Sequence, residues 1–317
     1  MLTKHFQAKP ALGSDVTLVI VADYTEPVMN KLFDILWGVI YRFERQFSRF
    51  IPESELSVFN RTGGKMTPVS PEFLKLLQAS RRMSELTDGL YNPFILPALQ
   101  RAGYTQSFLP GHESDVQTDY SRRTVFPADA LEIGDTWARI PYGSALDMGG
   151  CGKGYLADVL REYVPEDVVG YWFSLGGDIV AKGSDEDGKP WRIHVEDATH
   201  ADDTLQVVFD PTPGVSFAVA TSGTTKRMGT QAGRRWHHII DPRTQAPSTS
   251  DLQLVSVYCD EGLVADVLAS CAVILGSTEA VPFLKAKGVT SGILQTTDGH
   301  CRTFGKHIKT IGAEIHA

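Results

Sequence analysis

The chain has 317 residues, of which 42% are hydrophobic and 21% charged, and its formal net charge is −8 at pH 7. This composition is ordinary for a globular protein, and the length allows one large domain or two. The negative charge argues against a broad nucleic-acid surface, so a phosphate ligand needs a cation or a local cluster of basic and backbone N–H groups. The four cysteines show no metal spacing and indicate no disulfide framework.

The first residues contain neither an apolar signal segment nor a lipoprotein cysteine. We therefore expect the chain as written to be cytoplasmic, whereas a chain whose leader had been removed would look the same and be periplasmic. No apolar run has the length that we expect of a membrane span. We accordingly expect contact with a membrane only through a partner protein.

The predicted elements begin with a strand over Ser14–Ala22 and a long amphipathic helix over Glu26–Phe47. The helix residues predicted to face inward are Val28, Leu32, Ile35, Leu36, Val39, Ile40, Phe43 and Phe47. Residues 48–60 are predicted to form a polar turn followed by an apolar pair. A second helix is predicted from Ser70, which has the N-cap preference, to about residue 89.

Strands dominate the second half of the chain, after a polar stretch over residues 103–128 that we predict to be a long surface loop or lid. The predicted strands are Leu131–Ile133, Trp137–Ile140, Val168–Leu175, Trp191–Val195, Leu205–Phe209, Ser216–Ala220 and Leu252–Tyr258. Many consecutive strands with a few inserted helices predict an α+β fold with mostly antiparallel sheets. We expect one integrated unit over residues 1–317, with two lobes as the alternative.

Three glycine-containing loops are candidates for holding an anion. Residues 146–158 place four glycines around Lys153 and continue into a helix, whose N-terminus adds N–H donors and a positive dipole. This loop matches neither the Walker nor the dinucleotide-binding glycine pattern, and a tight strand-to-helix turn is the alternative. Residues 174–178 and 220–227 form the other two loops, for which solvated turns are the alternative.

A predicted helix over Leu263–Leu275 is apolar on nearly every side, which is typical of a buried helix. Its only polar side chains are Asp266 and Ser270, which are four residues apart and so lie on one face. A buried carboxylate neutralises, pairs or binds a cation, and Asp and Ser oxygens suit a hard cation such as Mg²⁺. The alternative is an Ala-rich surface helix on which both residues face solvent.

Two adjacent histidines, His237 and His238, precede Asp241 in a strand and turn. Neighbouring side chains on a strand face opposite ways, so at most one histidine belongs to a site beside Asp241. A structural role for that histidine is the alternative reading.

In this order, the segments resemble the ApbE family, the FAD:protein FMN transferases, over roughly residues 11–305. The matching motifs are residues 12–14, 48–60, 87–93, 146–158, 175–178, 221–223 and 238–244, together with Ala265, Asp266 and Ser270. The resemblance implies the T-fold-related α+β architecture of that family. It also implies FAD bound with Mg²⁺ or another divalent cation, and transfer of FMN to a Thr or Ser hydroxyl of an acceptor flavoprotein with release of AMP.

The resemblance also assigns roles to residues of this chain. The implied cation ligands are Asp266, Ser270 and the Gly152 carbonyl. Lys153 is expected to offset phosphate charge, and His238 or Asp241 to act as base or positioning group for the attacking hydroxyl. The implied FAD-binding residues are Tyr91, Asp147, Gly176, Gly177, Asp178, Thr221, Ser222 and Gly223.

Five positions depart from the family pattern. Ser270 stands in place of Thr and keeps the hydroxyl, Cys151 and Gly152 replace Ile-Ala, Asn92 replaces Asp, and Gln245 replaces Gly. Two other functions fit the same residues. With water as the nucleophile the site makes an FAD pyrophosphatase, and without turnover the chain is an FAD-binding protein.

Overall fold

The structure is a computed structural model that describes residues 2–107, 118–200, 203–231 and 233–311. Within these ranges the α-helices are α1 (Glu26–Phe47), α2 (Glu55–Arg61), α3 (Pro71–Leu86), α4 (Leu96–Ala102), α5 (Gly152–Arg161) and α6 (Gly262–Ala286). The first nine strands are β1 (Thr3–Ala11), β2 (Ser14–Ala22), β3 (Thr67–Pro68), β4 (Glu132–Ile133), β5 (Trp137–Arg139), β6 (Gly170–Leu175), β7 (Asp178–Gly183), β8 (Ile193–Glu196) and β9 (Thr204–Phe209). The remaining strands are β10 (Phe217–Gly223), β11 (Met228–Gln231), β12 (Arg234–His237), β13 (Ile240–Asp241), β14 (Ala246–Pro247), β15 (Leu252–Cys259), β16 (Ser291–Thr296), β17 (Cys301–Gly305) and β18 (Ile308–Thr310).

An eight-stranded sheet lies at the centre of the fold, in the order β1-β2-β6-β7-β10-β15-β16-β17. Every neighbouring pair in it is antiparallel. Helices α1, α5 and α6 contribute to the core on one face of this sheet, and a three-stranded sheet, β18-β9-β8, packs on the other. The predicted α+β fold with mostly antiparallel sheets and inserted helices is therefore confirmed.

Two sequence predictions about the first half of the chain are wrong in part. Val28 and Ile35 on α1 are 48% and 51% exposed, because the buried face of the helix is narrower than its apolar face. The segment after α1 contains helix α2, which begins at the N-cap Ser54, whose hydroxyl accepts a hydrogen bond from Ser57 N. The predicted loop at residues 103–128 has no helix or strand in residues 103–107 and 118–127, and its residues 108–117 lie outside the described ranges.

Helix α6 is a core helix, although its length and apolar composition would let it cross a membrane, contrary to our expectation from the sequence. Of its most apolar stretch 56% is buried, because the helix packs on β10, β15 and α5. It extends eleven residues beyond the predicted end at Leu275, with a break at Gly276, where φ is 81°. The carboxylate of Asp158 on α5 accepts hydrogen bonds from Gly262 N and Leu263 N, both at 2.8 Å, and so caps its first turn.

Helices α5 and α6 cross at Gly154 and Gly262, where their backbones touch. A Cβ at Gly154 would lie 2.4 Å from the Gly262 carbonyl oxygen and 2.7 Å from the Cβ of Asp266. This close approach sets Asp266 beside the first turn of α5, which is the geometry on which the site depends.

We expect Gly154→Ala to lower the free energy of unfolding by about 1–3 kcal/mol, because the methyl group meets rigid backbone. The matched control is Gly38→Ala on the exposed face of α1, where an added Cβ meets nothing within 4 Å. There the change should stabilise the helix by about 0.5–1 kcal/mol. Urea denaturation of the three proteins measures both effects, and equal stability of the two variants would contradict the crossing described here.

Candidate functional site

A cleft of about 790 Å³ runs along the edge of the central sheet between the glycine loop before α5, the β6–β7 turn, the end of β10 and strand β8. This volume lies within the range of small-molecule sites, roughly 300–1,000 Å³. The predicted site residues that line it are Tyr91, Asp147, Gly152, Lys153, Gly176, Gly177, Thr221, Ser222, Gly223, His238, Asp266 and Ser270. The fold therefore brings together segments that are far apart in the chain.

Asp266 is buried, with 4% of its surface exposed, so the surface-helix alternative is wrong. Among the described residues its carboxylate receives one hydrogen bond, from Gly154 N to Oδ2 at 3.0 Å. One turn along α6, the Ser270 hydroxyl lies 2.8 Å from the Ser222 hydroxyl of β10. Both side chains border the cleft beside Gly152, the first residue of α5.

These residues fit a hard divalent cation. A buried carboxylate with only one hydrogen bond has lone pairs to spare, and the hydroxyl and carbonyl beside it add neutral oxygen ligands. The described residues contain no group of three or more His, Cys, Asp or Glu side chains that could hold a metal ion. A cation here would therefore take its remaining ligands from water or from a bound molecule, as Mg²⁺ commonly does.

Lys153, which lines the cleft, forms an ion pair with Asp178, a predicted site residue that is buried and does not line the cleft. Apart from this contact, neither carboxylate oxygen of Asp178 has a hydrogen-bond partner among the described residues, and the residue is 2% exposed. Burial lowers the pKa of Lys153; the charge of Asp266 opposes this shift and that of Arg227 adds to it. The sequence prediction placed Asp178 at the end of a turn, whereas it begins strand β7.

The turn between β6 and β7 consists of Gly176 and Gly177, whose φ angles are 68° and 98°. Two successive positive φ values are those of the tight hairpin turn that favours glycine. A Cβ at Gly176 would lie 2.3 Å from Ser14 Oγ, so only glycine lets the turn pack against the start of β2. Its backbone is thus exposed to the cleft beside the Lys153 side chain.

Sequence reasoning missed Arg49, which lies in the turn after α1. Its Nε lies 2.7 Å from Asp147 Oδ2, and both side chains are buried. The other oxygen, Asp147 Oδ1, accepts a hydrogen bond from Gly149 N at 2.7 Å. The Arg49–Asp147 pair therefore holds the glycine loop against the turn after α1. The Arg49 guanidinium also packs on the rings of Phe50 and Tyr104, at 4.2 and 4.5 Å from their centroids.

Tyr91 and Thr221 contribute to the walls of the cleft through buried hydrogen bonds. The Tyr91 hydroxyl lies 3.0 Å from Ser80 Oγ on α3, and its ring lies under the glycine loop. The Thr221 hydroxyl lies 2.7 Å from Ser256 Oγ on the neighbouring strand β15. The Asn92 side chain accepts a hydrogen bond from Phe94 N at 2.9 Å and so shapes the chain after Tyr91.

His238 lines the cleft, whereas His237 turns away and its Nε2 lies 2.9 Å from the Ser248 carbonyl oxygen. The Nδ1 atom of His238 is buried and has no hydrogen-bond partner among the described residues. Burial, then the positive charge of Arg227, lowers the pKa of His238 to about 3. The imidazole is therefore neutral at physiological pH and can accept a proton.

The structure does not bring Asp241 into the cleft, unlike His238. Its carboxylate accepts hydrogen bonds from Arg243 N at 2.9 Å and from the Arg243 guanidinium, the shortest at 2.8 Å. Asp241 therefore stabilises its own turn, because the arginine two residues along is the nearest cation. The same turn has a left-handed residue at Gln245, where φ is 57°.

The buried neutral state of His238 predicts a specific loss of stability in acid. The unfolded residue binds a proton below its ordinary pKa of 6.5, while the folded residue stays neutral down to about pH 3. Stability is therefore lost as pH falls from 6.5 towards 3, by about 2 kcal/mol between pH 7.5 and 5. Urea denaturation of the parent and of His238→Asn at both pH values tests this, and an equal pH dependence in the two proteins would contradict it.

The fold and the cleft are those of an α+β enzyme in which a glycine loop and a buried carboxylate face one long ligand site. The family model described as the ApbE family matches residues 12–294. The FAD:protein FMN transferase of Vibrio cholerae is 28% identical over 258 residues, covering 80% of this chain and 76% of its own. That of Treponema pallidum is 26% identical over 300 residues, covering 89% and 82%.

Solved structures of ApbE proteins have a similar fold. The ApbE protein of Thermotoga maritima has a TM-score of 0.81 at 22% identity, covering 96% of this chain and 97% of its own. The flavin transferase ApbE of Vibrio cholerae has a TM-score of 0.76 at 24% identity, with coverage of 96% and 97%. The chain belongs to the ApbE family.

Proposed function

We propose that the chain is an FAD:protein FMN transferase that requires a divalent cation, with Mg²⁺ the expected ion. It moves FMN from FAD to a Thr or Ser hydroxyl of an acceptor flavoprotein and releases AMP. The names of its relatives support FMN transfer. The observation that carries the rest is the buried carboxylate of Asp266, which borders the cleft together with Ser270 and the first turn of α5.

Two groups of residues in the cleft would bind the diphosphate of FAD, one through a cation and the other directly. Asp266, Ser270 and the Gly152 carbonyl would hold the cation, which supplies positive charge to the diphosphate when bound. The positive end of the α5 dipole would favour an anion beside its first turn, although Gly152 N and Gly154 N already donate to the Met148 carbonyl oxygen and to Asp266. The Lys153 ammonium, which lines the cleft, adds a full positive charge. The turn at Gly176 and Gly177 leaves backbone exposed for close approach.

The transfer step needs a base for the acceptor hydroxyl. The hydroxyl oxygen forms a bond to the phosphorus of the FMN half, and the bond from that phosphorus to the oxygen of the AMP half breaks. The electron pair leaves on AMP, and the hydroxyl proton passes to Nδ1 of His238, which is neutral and has no hydrogen-bond partner within the described part of the chain. Burial is the main cause of the lowered pKa of His238, and the charges of Arg227 and Lys153 add to it; a bound diphosphate would offset those two charges and so raise the basicity of the imidazole in part.

The test is incubation of the purified chain with FAD and Mg²⁺, with and without a flavoprotein acceptor. We expect the acceptor to gain the mass of one FMN, to fluoresce in a denaturing gel and to yield one AMP per flavin, and EDTA to stop all three. Free FMN and AMP formed equally fast without acceptor would replace transfer with FAD pyrophosphatase activity. Tight FAD binding with no product under any divalent cation would replace it with FAD storage or delivery.

A further inference from the structure

Arg227 is a basic residue of the cleft whose ligand has not been assigned above. It ends the loop between β10 and β11, is partly buried and lines the cleft. Its carbonyl oxygen accepts a hydrogen bond from His238 N at 3.0 Å, which fixes the two residues opposite each other. The main chains of Arg227 and His238 are therefore held next to each other, and both side chains line the cleft.

Apart from the exposed Arg45, the other Lys and Arg side chains near the cleft have carboxylate partners. Arg49 pairs with Asp147 at 2.7 Å, Lys153 with Asp178, and Lys226 with Glu196 at 2.5 Å. Within the described ranges, the Arg227 guanidinium forms no ion pair with any carboxylate. Arg45 also forms none there, but it is exposed on α1, where water solvates it.

An unpaired guanidinium beside other positive groups is unfavourable in the free protein. Arg227, Lys153 and His238 all line the cleft. Burial and then the charge of Arg227 lower the pKa of His238, in keeping with this arrangement. Since the other buried cations of the cleft are already neutralised by carboxylates, Arg227 is the side chain there, among the described residues, whose charge is left for an anionic ligand. The planar guanidinium suits two oxygens of one phosphate group.

We propose that Arg227 is a catalytic residue that binds the phosphoryl group under attack, on the FMN half of the diphosphate. This assignment rests on the proposed function. In the proposed step His238 takes the proton of the hydroxyl that attacks the phosphorus of the FMN half. Arg227 is hydrogen-bonded to His238 through the backbone, so its side chain would lie nearer to that phosphoryl group than to the AMP half. Arg227 forms no covalent bond and gives up no proton; it stabilises the negative charge that grows on the phosphoryl oxygens.

The cation ligands and Arg227 come from different elements that border the same cleft. Asp266 and Ser270 lie on α6, whereas Arg227 lies in the loop after β10 and His238 follows β12. A phosphate in this cleft could therefore contact both a bound cation and the guanidinium. The guanidinium therefore distinguishes ligands by their phosphate and is indifferent to the flavin ring.

The test compares Arg227→Gln with Lys226→Gln, two changes that each remove one positive charge from adjacent positions. We expect Arg227→Gln to lower kcat for FMN transfer by roughly 10²–10³-fold. Its affinity for FAD should fall roughly tenfold or more and lose part of its salt dependence, while riboflavin, which has no phosphate, binds as before. Lys226→Gln should stay within about threefold of the parent in each measurement, because Lys226 is exposed and paired with Glu196.

Arg227→Lys keeps the positive charge but loses the planar guanidinium that can bind two oxygens. Compared with Arg227→Gln, it should regain part of the FAD affinity and a smaller part of kcat. Thermal melting establishes that each variant is folded, and the riboflavin titration confirms an intact cleft. Equal kcat and equal FAD affinity in the two Gln variants, in a parent enzyme that transfers FMN, would overturn the role of Arg227 and leave the proposed function in place. A parent enzyme that neither binds FAD nor transfers FMN would overturn the proposed function itself.

Discussion

The Asp266→Asn variant is expected to lose FMN transfer by a factor of roughly 10²–10³ or more and to lose its response to Mg²⁺. Asn keeps the size of the side chain and can still accept the hydrogen bond from Gly154 N, but it carries no charge for a cation. The free protein should be as stable as the parent or more so, because a buried charge with little compensation has been removed. Loss of activity without loss of stability identifies a binding carboxylate.

The matched control is Glu261→Gln, which removes a carboxylate from the N-cap of the same helix. The Glu261 side chain is 50% exposed and pairs with Arg82 at 2.7 Å on the surface. Transfer assays over a range of Mg²⁺ concentrations should show parent behaviour for this variant. Asp266→Asn that keeps a Mg²⁺ dependence like that of Glu261→Gln would remove Asp266 from the cation site.

Lys153→Met is expected to lower the free energy of unfolding by about 3–5 kcal/mol, because it leaves the buried carboxylate of Asp178 without its partner. The double variant Lys153→Met with Asp178→Leu should regain much of that stability, since both charges are then absent. Neither variant should transfer FMN at more than a small fraction of the parent rate, because the ammonium that faces the diphosphate is missing from both.

Urea denaturation and the transfer assay together separate the two roles of this ion pair. The control is Lys189→Met, which breaks a solvent-exposed pair with Asp187 at 2.9 Å and should leave stability unchanged within error. A double variant that regains both stability and activity would show that Lys153 only compensates Asp178. A Lys153→Met protein as stable as the parent would contradict the buried pair.

The fold class could be predicted because the strands of the second half carry their own local signals. Strands with alternating or continuous apolar residues, such as β6 and β10, were recognised within a few residues of their ends. Strand β7 was not, because Gly176, Gly177 and Asp178 have turn chemistry and only tertiary pairing shows that Asp178 already belongs to the strand. Exposed Val28 and Ile35 show the opposite error, in which an apolar stripe is wider than the core that it meets.

The site was predictable where chemistry is local and not where it depends on distant pairs. The spacing of Asp266 and Ser270 placed them on one face of a helix, but only the packing of α6 on β10 and α5 shows that this face meets a cleft. Arg49 and Asp147 come from separate segments, so no spacing rule connects them. Asp241 lies in a motif that predicted a catalytic role, but its carboxylate is paired with Arg243 and does not line the cleft.

The central claim is that the Asp266 carboxylate brings a divalent cation to the diphosphate of FAD. Manganese is paramagnetic and takes the oxygen ligands that Mg²⁺ takes, so ³¹P NMR of FAD bound to the protein in the presence of Mn²⁺ measures this contact directly. We predict strong broadening of both diphosphate resonances with the parent protein and its loss with Asp266→Asn, while FAD remains bound. Broadening that is the same in the two proteins, or absent from both, would contradict the account.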